Sequence, residues 1–190
     1  AEFVSMPGAF ADAPAAAVKG HKVGVLRGFD FARCRYGENN VVGGVDINSI
    51  CSSTNAPNGA LYIDEDGFPI LDPVNRVIMD PHPDWTGSIR STFTFFGNLQ
   101  VSGLIDIKKG GQVWNGTRGA LYNFGTHKDT EIRGQQRTFG QPGFHEGPVA
   151  GPGAGTAVTI DQDWFTGLGG GFGPDAAQFM EDGSYVKLRE

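Results

Sequence analysis

The sequence predicts an all-β fold of antiparallel strands, and three observations predict it. Residues 86–109 (TGSIRSTFTFFGNLQVSGLIDIKK) alternate apolar and polar positions in two runs of about ten residues around a Gly-Asn turn. Glycine (30 of 190) and proline (11), with 14 phenylalanines, suit strands and turns better than packed helices. Long stretches rich in turn-forming residues flank the paired runs on both sides. Strand side chains repeat every two residues, so each run has one apolar and one polar face. Runs this long exceed the usual soluble strand and match a tilted strand crossing a bilayer. The expected architecture is therefore part of an outer-membrane β-barrel with long irregular extracellular connections.

In chain order, the opening segment through Lys19 is Ala/Pro-rich and reads as loop or the tail of a strand. Residues 23–31 (VGVLRGFDF) form a short strand. Residues 32–83 are the first long connection, with turn chemistry at 37–40, 55–59, 64–67 and 80–83. Residues 86–109 are a transmembrane hairpin. Residues 110–183 are the second long connection, including the glycine-rich stretch 147–155 and a triple glycine at 169–171, and 184–190 open the next strand. Fifty-residue irregular connections beside a tiny turn argue against a compact soluble domain and match a barrel with short periplasmic turns and long outer loops.

The hairpin's register follows from its faces. A two-residue turn would pair Phe96 with Leu99 and set apolar against polar, which one-sided burial forbids. Pairing Phe95 with Leu99, Phe93 with Val101 and Ile89 with Ile105 aligns the faces. The loop is then Phe96-Gly97-Asn98, with Asn98 expected in the left-handed region. Arg90, Thr92, Thr94, Gln100, Ser102, Asp106 and Lys108 face the lumen, and Leu104 alone breaks the polar row.

A net charge of −6 without a basic aromatic cluster argues against nucleic-acid binding. The absence of an eighteen-residue apolar run excludes a transmembrane helix but not a barrel. The chain starts AEFVSMPG without a signal peptide and ends on the alternating SYVKLRE, so it reads as a fragment of something larger.

Residues 80–121 (DPHPDWTGSIRSTFTFFGNLQVSGLIDIKKGGQVWNGTRGAL) resemble the late-barrel segment of SusC/RagA-type TonB-linked outer-membrane transporters. In that family an Asp-Pro-x-Pro-Asp-Trp stretch introduces a strand, a tight turn follows, and the next strand leads into Gly-Gly-x-x-Trp-Asn-Gly-Thr. Residues 179–190 (FMEDGSYVKLRE) are similar to the family's signature before a later strand, and 64–72 and 76–84 sit where it places its preceding turn. The resemblance implies a segment of the C-terminal part of the barrel, in the bacterial outer membrane. It also implies import of oligosaccharides, peptides or similar large nutrients, lipid around the wall, the TonB complex acting through a plug, and a SusD-like surface lipoprotein. No catalytic residue, cofactor or metal is implied.

Cys34 and Cys51 share the first long connection. In an oxidising outer loop a stapling disulfide is expected, two unpaired thiols being the alternative. The acidic turn at 64–67, with Asp72 downstream, has the oxygens of a calcium loop but not its spacing, and reads as a plain turn. Trp85 and Trp114 bracket the hairpin as interfacial girdle residues. Trp114, with Tyr122, Phe124, Trp164 and Phe165 of the second connection, could instead stack on a ligand. His21, His82, His127 and His145 are scattered. The stretch 127–131 (HKDTE) could serve a hydrolase but supplies no nucleophile, and residues 147–155 lack a phosphate-loop arrangement. The rival readings are a secreted β-rich carbohydrate-binding module and a hydrolase.

Overall fold

The computed structural model describes residues 3–5, 15–35, 37, 40–169 and 177–189. Strand outweighs helix, and among the described residues the paired strands are antiparallel apart from one short parallel pair. Among the described residues no sheet closes on itself into a barrel. A long ribbon and a folded body make up the chain.

The body begins with β1 (Phe3–Ser5), β2 (Ala15–Val18) and β3 (Val25–Gly28). The expected strand over 23–31 contains β3, and the opening segment supplies β1 and β2. A hairpin of β4 (Val41–Val42) and β5 (Val45–Asp46) leads into helix α1 (Ile47–Ser53). Asp46 caps α1, its carboxylate accepting the Ser49 N–H at 3.1 Å. Ile47 and Cys51, one turn apart, are the helix's buried face. Then come β6 (Leu61–Tyr62) and β7 (Arg76–Met79), and β7 completes a sheet of order β1-β2-β3-β7. The acidic turn is held locally, Asp64 Oδ1 accepting the Phe68 N–H at 2.9 Å. Buried Asp72 accepts from Arg76 Nε at 2.8 Å.

Cys34 and Cys51 are disulfide-bonded, 17 positions apart with Cα atoms 5.7 Å apart. The bridge ties α1 to the segment after β3, inside a core in which alanines (Ala32, Ala56, Ala60 and Ala150) pack with Val42, Ile47 and Tyr62. In the chain-entropy model a loop of this size gives about 3 kcal/mol. Replacing both cysteines by alanine therefore lowers the body's unfolding free energy by about that amount, measured by denaturant titration. An unchanged midpoint contradicts the staple.

β8 (Pro83–Phe95) and β9 (Leu99–Gly110) form the ribbon, and their pairing is the expected one: Phe95 with Leu99, Phe93 with Val101, Ile89 with Ile105. The three-residue loop stands, but its left-handed position does not. Positive φ falls at Phe96 (52°) and Gly97 (77°), not at Asn98, whose N–H donates to the Phe95 carbonyl at 3.3 Å. A turn with both central residues left-handed matches the right-handed strand twist. Gly97 adopts it freely, and Phe96 at roughly 1–2 kcal/mol.

Beyond the ribbon lie β10 (Gln112–Trp114), helix α2 (Gly116–Asn123), a 3-10 turn (Lys128–Ile132), β11 (Gln135–Arg137), β12 (Val149–Ala150), β13 (Val158–Ile160) and helix α3 (Gln162–Thr166). A second 3-10 turn (Ala177–Phe179), β14 (Met180–Asp182) and β15 (Tyr185–Leu188) follow. β10 pairs with β14, β11 with β13, and β12 runs parallel to β6. β15 joins the ribbon as a third strand in the order β15-β9-β8.

The expectation of irregular outer connections is corrected here. Residues from both connections, 32–83 and 110–183, pack together around an aromatic core that includes Phe31, Leu61, Ile63, Phe139, Phe144, Ile160, Trp164 and Phe165. The glycine-rich stretch serves that packing. A side chain at Gly151 or Gly153 would collide with the Ile63 and Asp64 carbonyl oxygens, so only glycine lets these backbones meet. The turn at 37–40 and the triple glycine at 169–171 lie only partly among the described residues, as does the opening segment; Glu190 lies outside them.

Candidate functional site

Two surfaces carry chemistry, and the ribbon is the larger. Its apolar face runs through the cross-strand pairs Trp85/Lys109, Gly87/Ile107, Ile89/Ile105, Ser91/Gly103, Phe93/Val101 and Phe95/Leu99. β15 extends this face with Val186 and Leu188. The face is open: Ile89 is 61% exposed, Phe93 60% and Leu188 76%. From Trp85 to Phe95 is ten residue steps, about 33 Å along the strand. At a tilt of about 40° the ribbon spans about 25 Å of height, the apolar band of an outer-membrane wall. Trp85 and Lys109 stand together at the body end of this face. That pairing joins an amphipathic ring to an ammonium on an apolar stem. Phe96, 98% exposed, caps the far end.

The opposite face is polar. Thr86, Ser88, Arg90, Thr92 and Thr94 lie opposite Lys108, Asp106, Leu104, Ser102 and Gln100. Asp106 gathers β15 onto it, accepting the Tyr185 hydroxyl at 3.2 Å and Arg189 Nε at 2.8 Å. The Lys187 ammonium lies 4.2 Å from the centre of the Tyr185 ring.

A cleft of about 660 Å³ in the body is the second surface. Its walls come from the segment after β3, from α2, the Lys128–Ile132 turn, the 140–147 loop, α3 and the Ala177–Phe179 turn. Of the five residues expected to stack on a ligand, Tyr122, Trp164 and Phe165 line this cleft. Trp164 and Phe165 do so from the buried core, and Tyr122 meets Phe165 edge-on at 6.0 Å. Trp114 and Phe124 are not in its lining. The Trp114 ring folds back over Gly116, so close that a methyl there would come within 2.7 Å of it. Phe124 ends α2 and is 69% exposed.

A polar network stands at the mouth. Arg118 of α2 reaches Glu181 at 3.2 Å, Asp129 at 3.1 Å and the Tyr122 oxygen at 3.3 Å, and the Tyr122 hydroxyl donates to Asp129. Burial, reinforced by that bond, pushes the Tyr122 hydroxyl up to about 12, so it stays protonated. The Tyr122 hydrogen bond, and then Arg118, hold Asp129 below the usual carboxylate range. His127 caps the turn, its Nδ1 accepting the Asp129 N–H at 3.1 Å. That lone pair is thereby committed to structure.

Sequence reasoning missed His145. Its φ is +43°, and its ring lies among Phe31, Phe139, Phe144 and Trp164. The only signal was a histidine after phenylalanine in a Gly/Pro-rich stretch. Burial, with Arg33 and Arg118 adding repulsion, lowers its pKa to about 4. Between pH 4 and the ordinary 6.5 the unfolded chain binds a proton that the fold refuses. Stability is therefore full above pH 6.5 and falls as pH drops towards 4, by roughly 3 kcal/mol for this group. The lowered Asp129 loses its share only below its ordinary 3.8. An NMR titration of the His145 ring is expected to show a midpoint near 4; a midpoint at 6 or above contradicts this.

The described residues contain no cluster of three or more His, Cys, Asp or Glu side chains able to hold a metal ion. No helix is long and apolar enough to cross a membrane, which says nothing about strands. Compared with known proteins, the chain matches no family model and no curated protein.

Proposed function

We propose that this chain is a wall-and-vestibule segment of a SusC/RagA-like TonB-dependent transporter in the bacterial outer membrane, importing oligosaccharides, peptides or similar large nutrients. The two-faced ribbon carries the reading. Its apolar face is open over the height of a bilayer's hydrocarbon band, a tryptophan and a lysine mark one end, and the folded body sits at that end only. In water an apolar patch of this extent is a liability unless something covers it. Acyl chains cover it without a matching surface.

In this reading the ribbon continues into a closed barrel, and its polar face meets water and a plug. Asp106, Tyr185 and Arg189 hold β15 in register there. The TonB complex acts through the plug. The disulfide-tied body faces outward as part of the vestibule, where cargo arrives and a SusD-like surface lipoprotein docks. No bond is made or broken by this segment; it binds and encloses.

The aromatic-lined cleft fits a rival reading equally well, a secreted β-rich carbohydrate-binding module. Detergent separates them. The transporter reading predicts a monodisperse chain only with detergent or lipid. A stable, monodisperse monomer in plain buffer supports the soluble module and defeats the wall.

A further inference from the structure

The polar face of the ribbon is charged at one end and neutral at the other. Towards the tip it carries Thr92, Thr94, Gln100 and Ser102. Towards the body it carries four cations, Arg90, Lys108, Lys187 and Arg189, against one carboxylate, Asp106. The chain as a whole has a net charge of −6, so composition alone does not put a positive excess here. Three rungs of the sheet hold it. Lys108 lies between Thr86 and Tyr185, and Asp106 between Ser88 and Lys187. Leu104 lies between Arg90 and Arg189, whose N–H donates to the Leu104 carbonyl at 2.8 Å. These rungs cover four residue steps of β9, about 13 Å.

Asp106 does not neutralise the patch. Its Oδ2 accepts from the Tyr185 hydroxyl at 3.2 Å and from Arg189 Nε and Nη2 at 2.8 Å each. The Arg189 side chain is still 51% exposed, and a guanidinium has five N–H donors. The Tyr185 ring attracts the Lys187 ammonium but brings no negative charge. The Lys108 stem runs past Gly111 and Gly183 towards the body. Asp182 lies near Lys109 and Lys108 there, but its Oδ1 accepts the Ser184 N–H at 2.9 Å and hydroxyl at 2.7 Å. Among the described residues neither Lys108 nor Lys187 is held in an ion pair. Like charges on neighbouring rungs repel, and an incoming anion relieves that repulsion.

The spacing suits an extended polypeptide. Same-face side chains of an extended chain recur about every 7 Å, which is also the separation of the charged rungs. The hydroxyls of Thr86 and Ser88 lie beside the cations and can bond to the carboxylates or to the backbone that carries them. A polysaccharide would want an open ring face. The one aromatic ring on these rungs, Tyr185, has the Lys187 ammonium 4.2 Å from its centre.

We propose that this patch docks an acidic polypeptide segment, with carboxylates at alternate positions set on Lys187, Arg189 and Lys108. The assignment deepens the wall reading and rests on it for the segment's source, the plug inside the barrel. Exposed ion pairs are individually weak and screened by salt, so the contact is reversible, as docking of a part that must move requires.

The test uses the whole chain in non-ionic detergent. The acidic probe is a peptide alternating Glu and Thr, with its Gln-Thr counterpart as the neutral probe and trigalacturonate as an acidic sugar. The Glu-Thr peptide is expected to bind and to shift the side-chain nitrogen resonances of Lys187 and Arg189. Raising the ionic strength from about 0.01 M to about 0.15 M cuts the screening length from about 30 Å to about 8 Å and is expected to weaken binding about tenfold. Lys108→Gln combined with Lys187→Gln is expected to weaken it about tenfold as well, the effect of losing two exposed ion pairs. Lys109→Gln, on the apolar face, is expected to leave it unchanged. The wild-type resonances decide even if the double variant misfolds. The proposal falls if the Glu-Thr peptide leaves them unmoved, if the Gln-Thr peptide or trigalacturonate binds as tightly, or if the folded double variant binds as before. Peptide binding by a chain that stays monodisperse in plain buffer keeps the patch and rejects the wall. A chain that requires lipid yet ignores the peptide keeps the wall and rejects the docking.

Discussion

If the ribbon is a barrel wall, arginine at Ile89 or Ile105 is expected to destabilise the chain in lipid by about 2–4 kcal/mol, whereas arginine at Phe95 or Leu99 is expected to cost about 1 kcal/mol or less. The two pairs lie on one face, the first near mid-ribbon and the second beside the Phe96 tip. A charge at mid-depth must be desolvated in hydrocarbon, while one near the tip can snorkel to water. Thr92→Arg, one position from apolar Phe93 but on the opposite face, is expected to be nearly neutral, since that face already carries Arg90 and Asp106. Denaturant unfolding from lipid vesicles measures all of these. A soluble sheet buried against a second sheet would also penalise Ile89→Arg, but not with a cost that declines towards the tip. Depth dependence is the discriminating result.

Trp164→Ala is expected to cost about 3–5 kcal/mol in the stability of the body. The indole is nearly fully buried and packs against Phe31, Phe68, Phe139, Phe144 and His145, so its removal leaves a cavity that rings held by several elements cannot close. Phe124→Ala, on an exposed side chain, is expected within about 0.5 kcal/mol of the parent. Near-ultraviolet circular dichroism during denaturant titration reports the change. If the outer connections were the irregular loops that composition predicts, both substitutions would be equally harmless.

The ribbon was legible because its information is local and periodic. Each apolar position in 86–109 constrains the same face, and a three-residue loop aligns both strands where a two-residue one does not. The backbone of that loop was less legible. A three-residue connection can turn in more than one way, and the structure places positive φ at Phe96 and Gly97, not at Asn98. The body was least legible. Strands such as β6 and β12 are two residues long, too short for a period to show, and they meet across almost ninety positions of chain. What composition registered as turn residues is the packing chemistry of a core assembled from both connections.

The candidate site divides in the same manner. Aromatic identity picked out Tyr122, Trp164 and Phe165, which the fold brings to one cleft. Identity says nothing about direction, however, so Trp114 and Phe124 were grouped with them though one folds over Gly116 and the other faces out. His145 stayed invisible because its burial depends on a left-handed backbone and on rings that include Phe31 and Trp164 from distant segments. The disulfide was readable, because two cysteines within one connection have few alternatives.

The central claim is that one face of the ribbon meets lipid and the other meets water. Spin labels placed one at a time on added cysteines at positions 90–95 and 99–105, in chain reconstituted into bilayers, test it directly, since the native cysteines are already bonded to each other. Oxygen, which partitions into acyl chains, is predicted to reach the labels with a period of two. Maxima are expected at 91, 93, 95, 99, 101, 103 and 105, and a polar nickel reagent should give the opposite phase. Equal accessibility on both faces, or oxygen maxima at 92, 94, 100 and 102, would contradict the account.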